Sequence, residues 1–507
     1  MNINPMTPIT AVKVLQAVPL DNSYKDTLTF ENVSGQTSFF TGKAKTTYTN
    51  LSPINLYNAI RLPVCADDIY DCNYIMFQNA NFKTKWFYAF ITKINYVNTN
   101  MCQVEFEIDV MQTWYFDYTI NSCWVEREHT NDDRVGANLQ PEPVQLTEYI
   151  NEKGLKTPCF DKYTAVILTA DNPNPDNATP YKRGTVGGLF SGLYYVYGGN
   201  IDDEETTNTL LGLIDSYTDL NKQDSIVSTF ITPSYFLTQN NTPVTYQMWI
   251  DGKPEKIGDY TPLNKKLLTY PYNYICVSNQ EGQNCDFRYE YFNSSNDKGQ
   301  VLFLISGDMS PNPEILCYPV DYEFQFNNID KSLSISGFPQ FAYAIDTFRA
   351  WIAQSAGSNI LGLLGSGAMS VASENPLPFI TETANLEMTY LNKLYAGDTG
   401  KGTQGSSALV AMRLKNFIFY NRHIRDDIAR SIDNYFSIYG YTTNMAKVPN
   451  ITGRKSWNYV KTKDSKITGS IPFEDIEKIR SIFDNGVTFW HGDYVGHYER
   501  DNSIIGG

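Results

Sequence analysis

The chain has 507 residues, of which 42% are hydrophobic and 19% charged, and its formal net charge is −15. Such a composition excludes a disordered chain and a wholly membrane-embedded one, and the length exceeds a single hydrophobic core, so about three or four domains are expected. The acid excess argues against tight binding of nucleic acid, because affinity for a phosphate backbone comes largely from Lys and Arg releasing counterions.

The opening MNINPMTPITAV lacks the basic and apolar regions of a secretory leader, and a chain made in soluble form is expected. From Tyr74 to Trp114, apolar runs separated by Asn-rich turns predict an antiparallel meander. Its last strand alternates, with Cys102, Val104, Phe106, Ile108 and Val110 on a core face and Gln103, Glu105, Glu107 and Asp109 on a wet acidic one. The acidic file of Glu105, Glu107 and Asp109 reads either as a plain solvent face or as the wall of a channel.

A boundary is expected near Asn131, after which QPEPVQ, DNPNPDNATP and GLFSGLYYVYGG mark turns around a buried strand YTAVILTA. Asp202 to Leu220 is expected to be a helix. VTYQMWIDG, NYICVSN, FRYEYFN, QVLFLISG and LSISGF predict a second strand-rich module. Further on, ALVAMRLKNFIFY reads as a strand. RDDIARSIDNYFSIYG reads as an amphipathic helix with Ile424, Ile428, Ile432, Tyr435, Phe436 and Tyr439 on its apolar side. SWNYVKTKDSKITGSI reads as a hairpin-like strand pair. IPFEDIEKIRSIFDNG is a helix punctuated by Pro472, Glu474, Asp475 and Gly486, and VTFWHG is a final strand. The fold class expected is mainly β, with α+β terminal domains.

Few constellations carry chemistry. GDTGKGT fails as a phosphate loop, since Tyr395 stands where the first glycine belongs and Gly402 where Ser or Thr belongs. VEREH gathers Glu126, Glu128 and His129 but reads best as a solvated strand end, with His129 turned from the two carboxylates. The chain has four histidines and no G-x-S-x-G elbow, which leaves a Ser-His-Asp site unsupported. The eight cysteines have no zinc-knuckle spacing and read as free thiols, so neither a metal nor a cofactor is expected. Aromatic residues, including 36 tyrosines, suit protein interfaces or a sugar-binding surface.

Ala350 to Ser373 contains no charged residue. As a helix it would span about 36 Å, enough for a hydrocarbon layer of about 30 Å. Against a lone span stand Gly357, Gly362, Gly365 and Gly367, each costing about 1 kcal/mol of helix propensity, and the polar Gln354 and Asn359. Trp351, Ile352, Ile360, Leu361, Leu363, Leu364, Met369 and Val371 supply the apolar side chains. The segment reads either as a Gly-rich buried helix or as a movable arm that several copies shield together.

YIMFQNANF, KWFYAFIT, EFEIDVMQTW and VEREH near the front, with YGY, WNYVKTKDSKITGSI and IRSIFDNGVTFWH near the end, resemble the tail-knob (distal tail tube) proteins of φ29-like short-tailed phages. The resemblance covers roughly residues 70 to 130 and 410 to 495. It implies a homohexamer around an axial channel, with residues 1–131 and 408–507 as tail-tube-like β domains and 132–340 as β-rich distal domains. It also implies that the loop in 341–407 plugs the channel and then forms a pore in the host membrane. Other tail proteins, passing genome DNA and the host membrane would be the partners, and the virion tail the location. On the residues alone, two rivals stand beside this structural role: a binder of wall polysaccharide and a wall-degrading enzyme.

Overall fold

The computed structural model describes residues 9–51, 53–54, 58–79, 82, 84–146, 148–160, 162–172, 194–200, 204–237, 244–252, 254–308, 310–323, 331–338 and 415–506. The chain divides into two compact units, one built from Met1–Leu146, Tyr260–Leu267 and Asp426–Gly507, the other from Thr147–Asp259 and Leu268–Arg425. The first unit therefore runs on past the expected break at Asn131. It also resumes at Asp426, later than the expected 408.

In chain order the first unit begins with β1 (Ile9–Gln16), β2 (Asp26–Leu28), α1 (Val33–Gly42), β3 (Ala44–Leu51), β4 (Pro53–Ile54) and β5 (Ala59–Leu62). The meander follows as β6 (Cys72–Asn79), β7 (Trp86–Asn98) and β8 (Met101–Ile108), then a single turn α2 (Val110–Thr113), β9 (Tyr118–Ile120) and β10 (Cys123–Glu128). Seven of these strands form one antiparallel sheet in the order β3-β1-β6-β7-β8-β5-β4. Its middle is covered on both faces: Tyr74, Ile75, Met76 and Phe77 of β6 are all buried, so the two-residue period lapses there.

The second unit contains β11 (Tyr149–Lys156), β12 (Tyr163–Thr169), β13 (Tyr195–Asn200), α3 (Glu204–Asp219), β14 (Ile226–Pro233) and β15 (Thr245–Asp251). It continues with β16 (Asn273–Ser278), β17 (Asn284–Phe287), β18 (Gln300–Gly307), β19 (Ile315–Pro319), β20 (Leu333–Ile335) and β21 (Ile418–Ile424). Three small sheets result, β11-β21-β16-β17, β13-β12-β14 and β15-β18-β19-β20. The predicted strand YTAVILTA and the helix near Asp202 both form. FRYEYFN does not continue as a strand: after β17 the chain makes a 3₁₀ turn over Tyr289–Tyr291, where Arg288 lies 4.0 Å from the Tyr270 ring and Tyr289 is buried. None of the eight cysteines forms a disulfide, and Cys102 is a core residue of β8.

The chain returns to the first unit with α4 (Asp426–Tyr439), β22 (Tyr441–Lys447), β23 (Trp457–Lys463), β24 (Ile467–Gly469), α5 (Phe473–Asn485) and β25 (Val487–Trp490). These join β2 and β10 in a five-stranded sheet ordered β2-β25-β23-β10-β22, where only β2 and β25 run parallel. The expected hairpin in SWNYVKTKDSKITGSI is absent. β23 pairs with β10 and β25, while β24 pairs with β9, because Asp464 adopts a left-handed φ of 52° that turns the chain out of the first sheet. One core spans both chain ends, with Trp457 and Trp490 at 5.3 Å between ring centres and Phe40 packed on Tyr74 and Tyr88.

Candidate functional site

The acidic strand face is narrower than its sequence pattern suggests. Cys102, Val104 and Phe106 are buried, as alternation requires, and Glu105 and Glu107 on the opposite face are partly exposed. Each already has a partner: Asn95 Nδ2 donates to Glu105 Oε1 at 2.7 Å, and Lys478 of α5 forms an ion pair with Glu107. The Lys478 contact holds the Glu107 carboxyl below its usual range. Lys93 stands directly across from Glu105 on β7, so the face carries charges of both signs.

Asp109 does not belong to this face. β8 ends at Ile108, and Asp109 becomes the N-cap of α2, 1% exposed, accepting from Gln112 N at 3.1 Å and from Tyr74 Oη at 2.7 Å. Burial pushes its carboxyl up to about 6 even though these hydrogen bonds pull the other way. The strand pattern missed this because D-x-x-Q before an apolar run is also a cap signature, and the cap wins where the strand stops.

The VEREH stretch is likewise not a solvated strand end. A register shift between Val125 and Arg127 in β10 re-aims the chain, and Arg127, Glu128 and His129 are all buried. Glu128 forms an ion pair with Lys447 and accepts from Asn450 N at 2.8 Å. Only Glu126 stays at the surface region, 3.0 Å from Lys461. Tyr459 N donates to His129 Nδ1 at 2.8 Å, so the ring proton sits on Nε2, which lies 3.2 Å from the Ser437 carbonyl. Burial, helped by Arg454, lowers this imidazole to about 3.

A polar anchor that sequence reasoning did not find holds Tyr260–Leu267 within the first unit. Asp433, buried on α4, accepts from Tyr260 Oη at 2.6 Å, Leu263 N at 2.7 Å, Asn264 N at 3.0 Å and Asn264 Nδ2 at 2.8 Å. Beside it the fully buried Glu142 carboxylate is paired with Lys266 Nζ at 2.5 Å and with Arg127, and accepts from Thr442 N at 2.9 Å. Burial pulls the Lys266 ammonium below its usual range while Glu142 opposes the shift. The available signal was Asp433 itself, an acid set among Ala429, Ile432 and Phe436 on the buried side of an amphipathic helix.

Near this anchor, a cleft of about 630 Å³ is lined by Asp132, Asp133, Arg134, Lys265 and Ile504, among others. Its charges are largely spent internally, since Arg134 pairs with Asp132 at 2.7 Å and Tyr441 Oη donates to Asp133 at 2.6 Å. Among the described residues no three His, Cys, Asp or Glu side chains converge on a metal position, and no helix is long and apolar enough to cross a membrane. The apolar arm, Trp351 through Val371, lies outside the described residues. Its described flanks are β20 and β21, both strands of the second unit, so the arm is an insertion within that unit and not a linker between units.

Residues 8–119 match the family model of the caudoviral major tail protein N-terminus. A solved structure, the tail knob protein gp12 of bacteriophage C1, has the same fold with a TM-score of 0.64 at 17% identity, covering 98% of this chain and 100% of that one. The β-rich architecture and that N-terminal module define a tail-tube-like β fold. Residues 236–384 and 393–503, more than half of the chain, match the C-terminal domain of the Bacillus phage phi29 tail knob protein gp9. Tail knob proteins gp9 of Bacillus phages phi29 and B103 are 26% and 25% identical, each alignment covering 98% of both chains. The chain belongs to the phi29-like tail knob protein family, and it is a structural component of a phage tail.

Proposed function

We propose that six copies of the chain close into a ring around an axial channel through which the phage genome passes. Copies of the first unit form the tube wall, copies of the second its distal part, and residues 341–407 supply loops that plug the channel and later enter the host membrane. The observation that supports this reading is the family membership, together with a first unit folded from both chain ends around an inserted middle. A tube of identical subunits needs closed head-to-tail contacts, and both ends co-folding leaves the middle of the chain free to elaborate one end of it.

On this reading Glu105 and Glu107 face the channel and discourage phosphate from adhering, while the buried Asp109 takes no part. The role is mechanical, with no catalytic step and no cofactor. Electron micrographs of the purified full chain are expected to show six-fold rings with a blocked centre, and mass photometry a species of six chains. A monomer at every concentration tested would reject the ring, and maleimide labelling of Glu105→Cys from outside the assembled ring would reject the channel-facing assignment.

A further inference from the structure

We propose that the second unit binds a divalent transition-metal ion of the zinc class between His423, Glu152 and Asn273. All three belong to the sheet β11-β21-β16-β17. Asn273 of β16 stands directly opposite His423 of β21, and Glu152 lies on β11, the neighbouring strand on the other side.

His423 is fully buried, and its Nδ1 lies 2.7 Å from the Ile424 carbonyl oxygen. A carbonyl oxygen only accepts, so Nδ1 carries a proton, and in the neutral ring Nε2 presents its lone pair. That lone pair has no hydrogen-bond partner and points to a region where Glu152 Oε1 is 3.4 Å away. In the neutral ring, two acceptors face each other across this gap. A charge-assisted hydrogen bond would draw them to about 2.7–2.9 Å. Two metal bonds of about 2.0–2.1 Å at a tetrahedral angle hold their donor atoms about 3.4 Å apart, which is the spacing found.

The third donor is the Asn273 side chain, fully buried, with neither its oxygen nor its nitrogen partnered. An amide left so in a protein interior is costly, and coordination through Oδ1 would offset that cost. Nearby cations are engaged elsewhere and do not occupy the position: Arg422 Nε donates to Asn151 at 2.7 Å, and Arg425 lies 3.1 Å from Glu148. The imidazole held by a backbone carbonyl is the usual outer-shell arrangement of a metal-binding histidine. One imidazole with two oxygen donors favours zinc over calcium or magnesium, which prefer all-oxygen sets. Glu152 is partly exposed, so the ion has a route in.

The test uses the metal-free full chain in a His497→Ala background, because exposed His497 beside Glu499 is an incidental zinc ligand. Calorimetric titration with Zn²⁺ at neutral pH is expected to show one saturable site per chain, and Co²⁺ to give the visible bands of a tetrahedral site. Glu152→Gln, isosteric and partly exposed, is expected to weaken binding at least about 10-fold with an unchanged circular dichroism spectrum. His423→Gln is expected to abolish it. Absence of a one-to-one isotherm, equal affinity of Glu152→Gln and its parent, or a metal-free His423 found doubly protonated and hydrogen-bonded to Glu152 would each overturn the proposal.

Discussion

At the scale of single residues, two buried titratable groups in the first unit act on stability with opposite signs. His129 is held neutral, to about 3, so below its ordinary value near 6.5 the unfolded chain takes a proton that the folded one refuses. Its contribution to stability is therefore lost as the pH falls. Asp109 is raised to about 6, so the folded chain binds its proton first, and the cost of burying the carboxylate is relieved as the pH falls from 6 towards 4. Over that window the two effects largely cancel. Asp109→Asn removes the relief, and the variant is expected to lose about 2–3 kcal/mol relative to wild type between pH 6 and pH 4. Urea unfolding followed by tryptophan fluorescence at both pH values checks the difference, and parallel curves for the two proteins would refute it.

The residues behind this effect were visible in the sequence, but their states were not. VEREH looks like a charged strand end because alternation assigns faces without knowing what covers them. Asn450, Lys447 and Tyr459, more than 300 positions away in the chain, are what bury Glu128 and His129.

At the scale of elements, α4 and its neighbours show how a polar residue can fix a packing arrangement. Asp433 receives four hydrogen bonds from Tyr260, Leu263 and Asn264. Asp433→Ala leaves buried donors without an acceptor and is expected to destabilise the first unit by about 3–5 kcal/mol. Limited proteolysis should then cut within Tyr260–Leu267, while Asp433→Asn, which keeps one acceptor, should be cut more slowly. Equal cleavage of wild type and Asp433→Ala would remove the anchor from the account.

Just beyond this helix Gly440 has a φ of 65°, and a Cβ there would fall 2.2 Å from the Glu128 carbonyl oxygen. Gly440→Ala is expected to cost at least about 2 kcal/mol, read as a lowered urea midpoint, because both the left-handed backbone and the close approach forbid a side chain. Most elements were legible from period and punctuation. α5 is the clearest, opening after Pro472 and closing at Gly486. The failures fall where an element ends by tertiary choice, as at Asp109, Tyr289 and Asp464.

At the scale of the whole molecule, the apolar arm gives the decisive prediction for the proposed role. Purified protein is expected to release dye from liposomes, and a chain lacking residues 357–373 to release little. Unchanged leakage after the deletion would show that another part of the chain acts on the membrane. The arm's insertion between β20 and β21 means that the deletion leaves the first unit's chain untouched, so ring formation serves as a folding control in the same experiment.

The sequence by itself determined the β-rich class, the helices with clear caps, the core face of β8 and the family, because these depend on local period, punctuation and long ordered motifs. Only the tertiary structure decided that both chain ends and Tyr260–Leu267 share one unit, that Asp109, Glu128, His129 and Asp433 are buried, and that His423 meets Glu152. Those outcomes depend on which distant segment covers a given side chain, and a polar residue carries no local mark of whether water or another part of the chain will satisfy it.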